Sequence, residues 1–138
     1  MTSSVQGPTA STVRAIVATH GTLADGLISA VDVITGRGAA LRAVSSIGLG
    51  AAGVTDALTR ALDETGVRVV FTDLPAGSCT LAARRLQKQR GALTVVIGVN
   101  LPMLLEFVLR PSGESADVAA AVERGREHIR ILGPANVG

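Results

Sequence analysis

The stretch Ile16-Val17-Ala18-Thr19-His20-Gly21 decides how the rest of the chain reads. A β-branched apolar run ends abruptly in a histidine, and apolar residues at helical spacing start directly after it, which is the pattern of strand, turn and helix. His20 is therefore expected at the carboxyl end of a strand, the rim at which open α/β sheets bind ligands. An imidazole there is a candidate for chemistry. The competing reading is an ordinary turn histidine, and partners elsewhere in the chain decide between the two.

Working outward, Val13 to Ala18 reads as the first strand. Thr22 is expected to cap the next helix, with Asp25 three residues on in a short capping box, and Leu23, Leu27, Ala30, Val31 and Ile34 share one face up to Gly36. Residues 39–44 form a second, weaker strand, and a glycine-bearing loop leads into a helix from Val54 to Thr65 with Leu58, Ala61 and Leu62 on its stripe. Val67 to Thr72 is a third strand, apolar enough to be central. Ser78 to Arg90 is a helix with Leu81, Ala82, Arg85 and Leu86 on one face, and Leu93 to Val99 is the fourth strand. Pro102 opens the following helix where its missing N–H does no harm. After a loop over 111–115 comes a helix from Ala116 to Arg124, then a short apolar run, His128 to Leu132, that reads as a fifth strand.

This alternation predicts an α/β fold: a doubly wound, mainly parallel four-stranded sheet with helices on both faces, plus a short C-terminal strand. Residues 1–12 read as a disordered tail, 13–132 as one domain and 133–138 as a second tail. With 138 residues, 47% of them hydrophobic, the chain buries a core without disulfides or metals. Formal net charge is only +2, with twelve Arg and one Lys scattered along the chain, and the aromatic residues are two Phe. Nothing is offered on which bases would stack, so no nucleic acid is expected as partner. The single Cys79 allows no internal disulfide, and no Cys/His cluster has metal-ligand spacing, so no metal site is expected and a reducing, cytoplasmic setting fits. Residues 1–12 lack the basic and apolar regions of a signal peptide. Asn100, Pro102 and Glu106 interrupt the apolar stretch from Gly91 to Leu109 and argue against a membrane span.

Three polar sites close the strand ends: His20, the set Asp73, Gly77 and Ser78, and Asn100. An aspartate bonded to one imidazole nitrogen fixes the tautomer and raises the basicity of the other, making it a better nucleophile. Gly77 and Ser78 precede a helix, where free N–H groups and the positive end of the dipole favour an anion such as phosphate. Together they suggest phosphoryl transfer through a phosphohistidine. Taken singly, each has a plainer use: Asp73 as a turn or cap residue, Ser78 as an N-cap, Asn100 as turn chemistry shortly before Pro102.

The motifs Thr-His-Gly-x-x-Ala-x-Gly-Leu at 19–27, Thr-Asp-Leu-Pro-Ala-Gly-Ser at 72–78 and Gly-Val-Asn-Leu-Pro-Met-Leu-Leu-Glu at 98–106 carry a family resemblance. Over residues 13 to 132 the chain resembles the mannose-family enzyme IIA domain of the bacterial phosphoenolpyruvate-dependent sugar phosphotransferase system. The resemblance implies that His20 is phosphorylated at Nε2, that Asp73 orients it and that Ser78 lies among the phosphate-binding groups. It implies HPr as donor, a sugar-specific enzyme IIB as acceptor, membrane sugar permease components further on, and no cofactor, since donor and acceptor are both phosphohistidines. It also implies a homodimer, with the run near Ile129 to Leu132 adding antiparallel to the partner's sheet. Ala76 and Cys79 stand where the family usually has the first Gly and the Pro of a Gly-Gly-Ser-Pro turn, and losing that proline gives the helix start one more N–H donor. Two rival readings are a phosphocarrier subunit feeding a dihydroxyacetone kinase and a non-catalytic regulatory domain binding a small anion.

The remaining residues of note have plainer readings. Cys79 beside a helix start is either a thiol of depressed pKa or a small space-filler, the commoner case. His128 has no acid or ligand at a useful spacing. Arg84-Arg85 read as a solvated helix face that acidic partners could use. Met103, Leu104 and Leu105 read as core.

Overall fold

The computed structural model describes residues 12–110 and 113–134. Four strands, β1 (Ala15–Thr19), β2 (Leu41–Ser45), β3 (Val69–Thr72) and β4 (Thr94–Ile97), form one sheet in the order β2-β1-β3-β4, with every pairing parallel. Between and after them run α1 (Leu23–Thr35), α2 (Ala51–Thr65), α3 (Ser78–Arg90), α4 (Leu101–Leu109) and α5 (Glu114–Glu127), with a 3-10 turn at Gly38–Ala40. Parallel strands need long crossovers, and the helices supply them while covering both faces of the sheet. The doubly wound sheet expected from the sequence is the fold found.

Strand alternation divides the core in two. Ala15 and Val17 of β1 join Val69 and Phe71 of β3 against α1, α4 and α5. Ile16 and Ala18 join Val70 against α2 and α3, where Val54, Leu58 and Leu86 pack. Phe71, Phe107, Ile16, Leu58 and Leu104 are fully buried, each worth about 1.5–3 kcal/mol relative to exposure. The central strands β1 and β3 are buried along their whole length, as the near-continuous apolar runs demand.

At the amino ends of the strands, Arg14 ties the last two helices to the sheet. Its guanidinium donates to the Phe107 carbonyl at 2.7 Å and to the carboxylate of buried Asp117 at 2.8 Å, and it lies over the Phe107 ring, 4.3 Å from the centroid. Phe107 in turn meets Phe71 edge to face, with centroids 5.3 Å apart.

Several local expectations need correction. Thr22 precedes α1 without a side-chain cap; the Gly26 N–H instead donates to its carbonyl. The buried face of α1 runs through Ala24 and Val31, with Leu27 and Ile28 packed alongside, so Leu23 and Ile34 are exposed. On α3 the sheet takes Cys79, Ala82, Ala83 and Leu86, an i, i+3, i+4, i+7 row of mostly small residues, leaving Leu81 and Arg85 outside. Strands β3 and β4 are shorter than expected, and α2 and α5 are longer. His128 is a turn residue, and Ile129 to Leu132 form no strand in the single chain: these residues are exposed, Leu132 at 91%. Among the described residues they pair with neither free edge of the sheet, that of β2 or that of β4. The expected tails fall almost wholly outside the described residues, as do Pro111 and Ser112.

Asp117→Ala leaves the Arg14 guanidinium and the Gly113 N–H without their carboxylate. The expected loss is about 2–3 kcal/mol in urea unfolding, with no change at the opposite, carboxyl rim of the sheet.

Candidate functional site

Winding reverses between β1 and β3, and the crevice at that reversal holds the expected residues. Ala18 pairs with Thr72, so the next residues along each strand bring His20 and Asp73 together. One carboxylate oxygen of Asp73, Oδ2, accepts both from the His20 backbone N–H at 2.9 Å and from its Nδ1 at 3.0 Å, while Oδ1 accepts from the Leu74 N–H at 3.0 Å. An ionised carboxylate only accepts, so Nδ1 carries a proton, and in the neutral imidazole this leaves the lone pair on Nε2. Burial pulls the Asp73 carboxyl upward, but hydrogen bonds from the His20 backbone and ring and from its own backbone outweigh that and hold it below the ordinary aspartate value. The imidazole is 43% exposed and Asp73 10%: a fixed acid behind an accessible base.

Gly77 is the N-cap of α3, which makes Ser78 the first helical residue. The first helical N–H to be paired is that of Leu81, on the Gly77 carbonyl, so the N–H groups of Ser78, Cys79 and Thr80 have no backbone partner among the described residues. The His20 ring lies against this helix start. A Cβ on Gly77 would meet His20 Cε1 at 2.4 Å and Nε2 at 3.2 Å, so only glycine admits the ring in this position. The loop is held from behind by Thr80, whose hydroxyl bonds the Thr72 hydroxyl at 2.6 Å and donates to the Leu74 carbonyl. Nothing in the sequence distinguished Thr72 and Thr80 from packing residues, because their pairing exists only once α3 docks on β3.

The other sequence candidates separate. Asn100 caps α4: its Oδ1 accepts from the Met103 N–H at 3.0 Å and its Nδ2 donates to the Gly125 carbonyl at 3.0 Å, so its side chain joins α4 to α5 at the rim. Cys79 is fully buried, and burial together with the nearby Asp73 charge pushes its thiol up, so it fills space and the depressed-pKa reading is overturned. His128 is the exposed C-cap residue of α5, and its side chain has no hydrogen-bond or ion-pair partner among the described residues. Among the described residues no group of three or more His, Cys, Asp or Glu is placed to hold a metal ion, and no helix is long and apolar enough to cross a membrane.

The family described as "PTS system fructose IIA component", EIIA-man, matches residues 14–124. The chain belongs to this family. Within EIIA-man, it is 30% identical over 128 residues to the PTS system mannose-specific EIIAB component of Escherichia coli K12, a match covering 88% of this chain and 40% of that protein. The Shigella flexneri counterpart matches equally, so the chain spans 40% of the length of the curated relatives it matches. Two solved structures share the EIIA-man fold. The mannose/sorbose-specific IIA subunit from Enterococcus faecalis has a TM-score of 0.76 at 23% identity, covering 91% of this chain and 98% of that one. The EIIA component from Streptococcus agalactiae has a TM-score of 0.74 at 24% identity, covering 86% and 96%.

Gly77→Ala is expected to push the His20 ring off its seat or tilt the start of α3, at about 1–3 kcal/mol of overpacking. Nitrogen shifts of the His20 ring report the loss of the Nδ1 hydrogen bond; unchanged shifts would show that the ring does not depend on this close approach.

Proposed function

We propose that this chain is a cytoplasmic phosphocarrier of the sugar phosphotransferase system, accepting a phosphoryl group on His20 Nε2 from phospho-HPr and passing it to a sugar-specific enzyme IIB. The observation that carries the reading is the pairing of one Asp73 oxygen with both the backbone and the ring of His20, which leaves Nε2 free beside the unpaired N–H groups of α3. Membership of EIIA-man supports it.

In the transfer the Nε2 lone pair forms a bond to phosphorus as the P–N bond of the donor phosphohistidine breaks, its electron pair returning to the donor imidazole. His20 gains positive charge while Nδ1 keeps its proton, and the Asp73 carboxylate offsets that charge at 3.0 Å. The N–H groups of Ser78, Cys79 and Thr80, with the helix dipole behind them, face the phosphoryl oxygens; Gly77 gives the space, and Ser78 adds a hydroxyl. Passing the group to enzyme IIB reverses the same steps. No proton is taken up, and both ends of the transfer are nitrogen–phosphorus bonds. Leu23, Ile47, Leu49 and Leu74 are exposed around the carboxyl rim, apolar area that a docking protein would cover.

Label from phospho-HPr should disappear in His20→Gln and persist in His128→Gln. Asp73→Asn should slow transfer by roughly a hundredfold or more with little change in folding, because the amide stabilises the wrong tautomer. Wild-type chain that gains no acid-labile phosphate would leave the site as an anion-binding module.

The same reading includes a homodimer. The side of β4 away from β3 is an unpaired edge, and Ile129, Ile131 and Leu132 are apolar residues without a place to pack. An extended segment exchanged onto a partner's sheet meets both needs. Truncation after Arg126 should convert the dimer to monomer or aggregate in light scattering; an intact dimer with unchanged melting would count against the exchange.

A further inference from the structure

The candidate site uses only the first turn of α3, yet the same helix continues outward as a row of another character. Residues 77, 81, 84 and 88 lie on one face at i, i+4, i+7 and i+11, so the row that starts under the His20 ring with Gly77 runs on through Leu81 and Arg84 to Lys88, about 16 Å along the axis. A cleft of about 490 Å³ follows it, lined by Pro75, Thr80, Leu81, Arg84, Arg85 and Lys88. The lining holds three cations and no acid. Arg84 and Lys88 make no hydrogen bond or ion pair among the described residues. Arg85 only reaches the Thr55 hydroxyl, at 3.3 Å, while Arg90 at the far end is neutralised by Asp63 at 2.7 Å. Leu81, 55% exposed, stands on the row between Gly77 and these cations, and Leu74 is 53% exposed.

We infer that this face of α3 is the docking strip for an acidic segment of a protein partner, carrying an apolar side chain for Leu81 and carboxylates for Arg84 and Lys88. Rows of like charge left unpaired on a helix repel one another by a few tenths of a kcal/mol per i,i+4 pair, and an acidic partner relieves this while steering its own approach. The composition of the strip argues for protein. A small inorganic anion gains nothing from Leu81, and the one buried hydroxyl of the lining, on Thr80, is already bonded to Thr72 and Leu74. Nucleic acid would want exposed aromatic rings, and both Phe71 and Phe107 are buried. The inference deepens the phosphocarrier reading by placing the acidic surface on a protein that exchanges phosphate with His20, since the strip leads directly to that ring.

The test uses the full chain and a short fluorescein-labelled peptide rich in Glu and Leu, followed by fluorescence anisotropy. Binding to the wild-type chain is expected to weaken steeply as salt rises, to fall roughly tenfold or more in the double variant Arg84→Glu/Lys88→Glu, and to survive in Arg84→Lys/Lys88→Arg. His20→Gln should bind the peptide as the wild type does, so failure of the phosphocarrier reading and failure of the strip are told apart. Circular dichroism checks that the charge-reversed chain is folded; the single variant Leu81→Asp, which keeps every cation, should also lose the peptide. Equal binding by the charge-reversed chain overturns the inference, as does complete competition by inorganic phosphate or binding to phosphatidylserine vesicles without binding to the peptide.

Discussion

The rim of this molecule depends on one parallel pairing, β1 against β3. Their register fixes which residues follow at the carboxyl ends, and a slip of one position would turn each side chain to the opposite face of the sheet. With the register as it stands, a carboxylate emerges from one strand and an imidazole from the other at hydrogen-bonding distance. The apolar runs that make both strands central are thus also what aligns the polar pair. Core packing on both faces and geometry at the rim are set by the same interaction.

Asp73 gives that pairing its chemical value by engaging main chain and ring through a single oxygen. The turn after β1 and the orientation of the imidazole are therefore coupled: the ring cannot rotate freely while the backbone stays in place. The opposite side of the ring is confined by the absence of a side chain at Gly77. Between them these contacts preorganise one nitrogen toward the start of α3 and hold the proton on the other, which is what a nucleophilic imidazole requires.

Much of this was legible in the sequence, and the parts that were not share a cause. His20 and Asp73 could be placed because β-branched runs end sharply before them, and strand ends in an alternating α/β pattern carry a positional meaning. The buried faces of α1 and α3 were misjudged because each helix carries two overlapping apolar rows. On α1, Leu23 and Ile34 compete with Ala24 and Ile28, which pack on the sheet side together with Leu27 and Val31. On α3, Leu81 competes with Cys79 and Ala83, and there the sheet takes the row with smaller side chains, which lets helix and strand approach closely. The reach of Arg14 to Asp117, the Thr72–Thr80 hydroxyl pair and the Asn100 link to Gly125 were invisible for another reason. Each joins segments whose proximity exists only in the folded chain. The tail from His128 to Leu132 shows the limit of local pattern: its strand-like composition is real, but a strand needs a neighbour to pair with.

The hydrogen bonds from His20 to Asp73 span 53 positions of sequence, and that separation has a kinetic meaning. Local contacts within β1 and α1 form early, but the carboxylate arrives only after β2, α2 and β3 have been laid down and the chain has crossed back over itself, a long loop closure that slows assembly. A partly folded chain therefore has a histidine with no fixed tautomer and no helix start beside it. The polar centre comes into being once the crossover through α2 seats β3 beside β1, before β4 and the last two helices have joined the sheet.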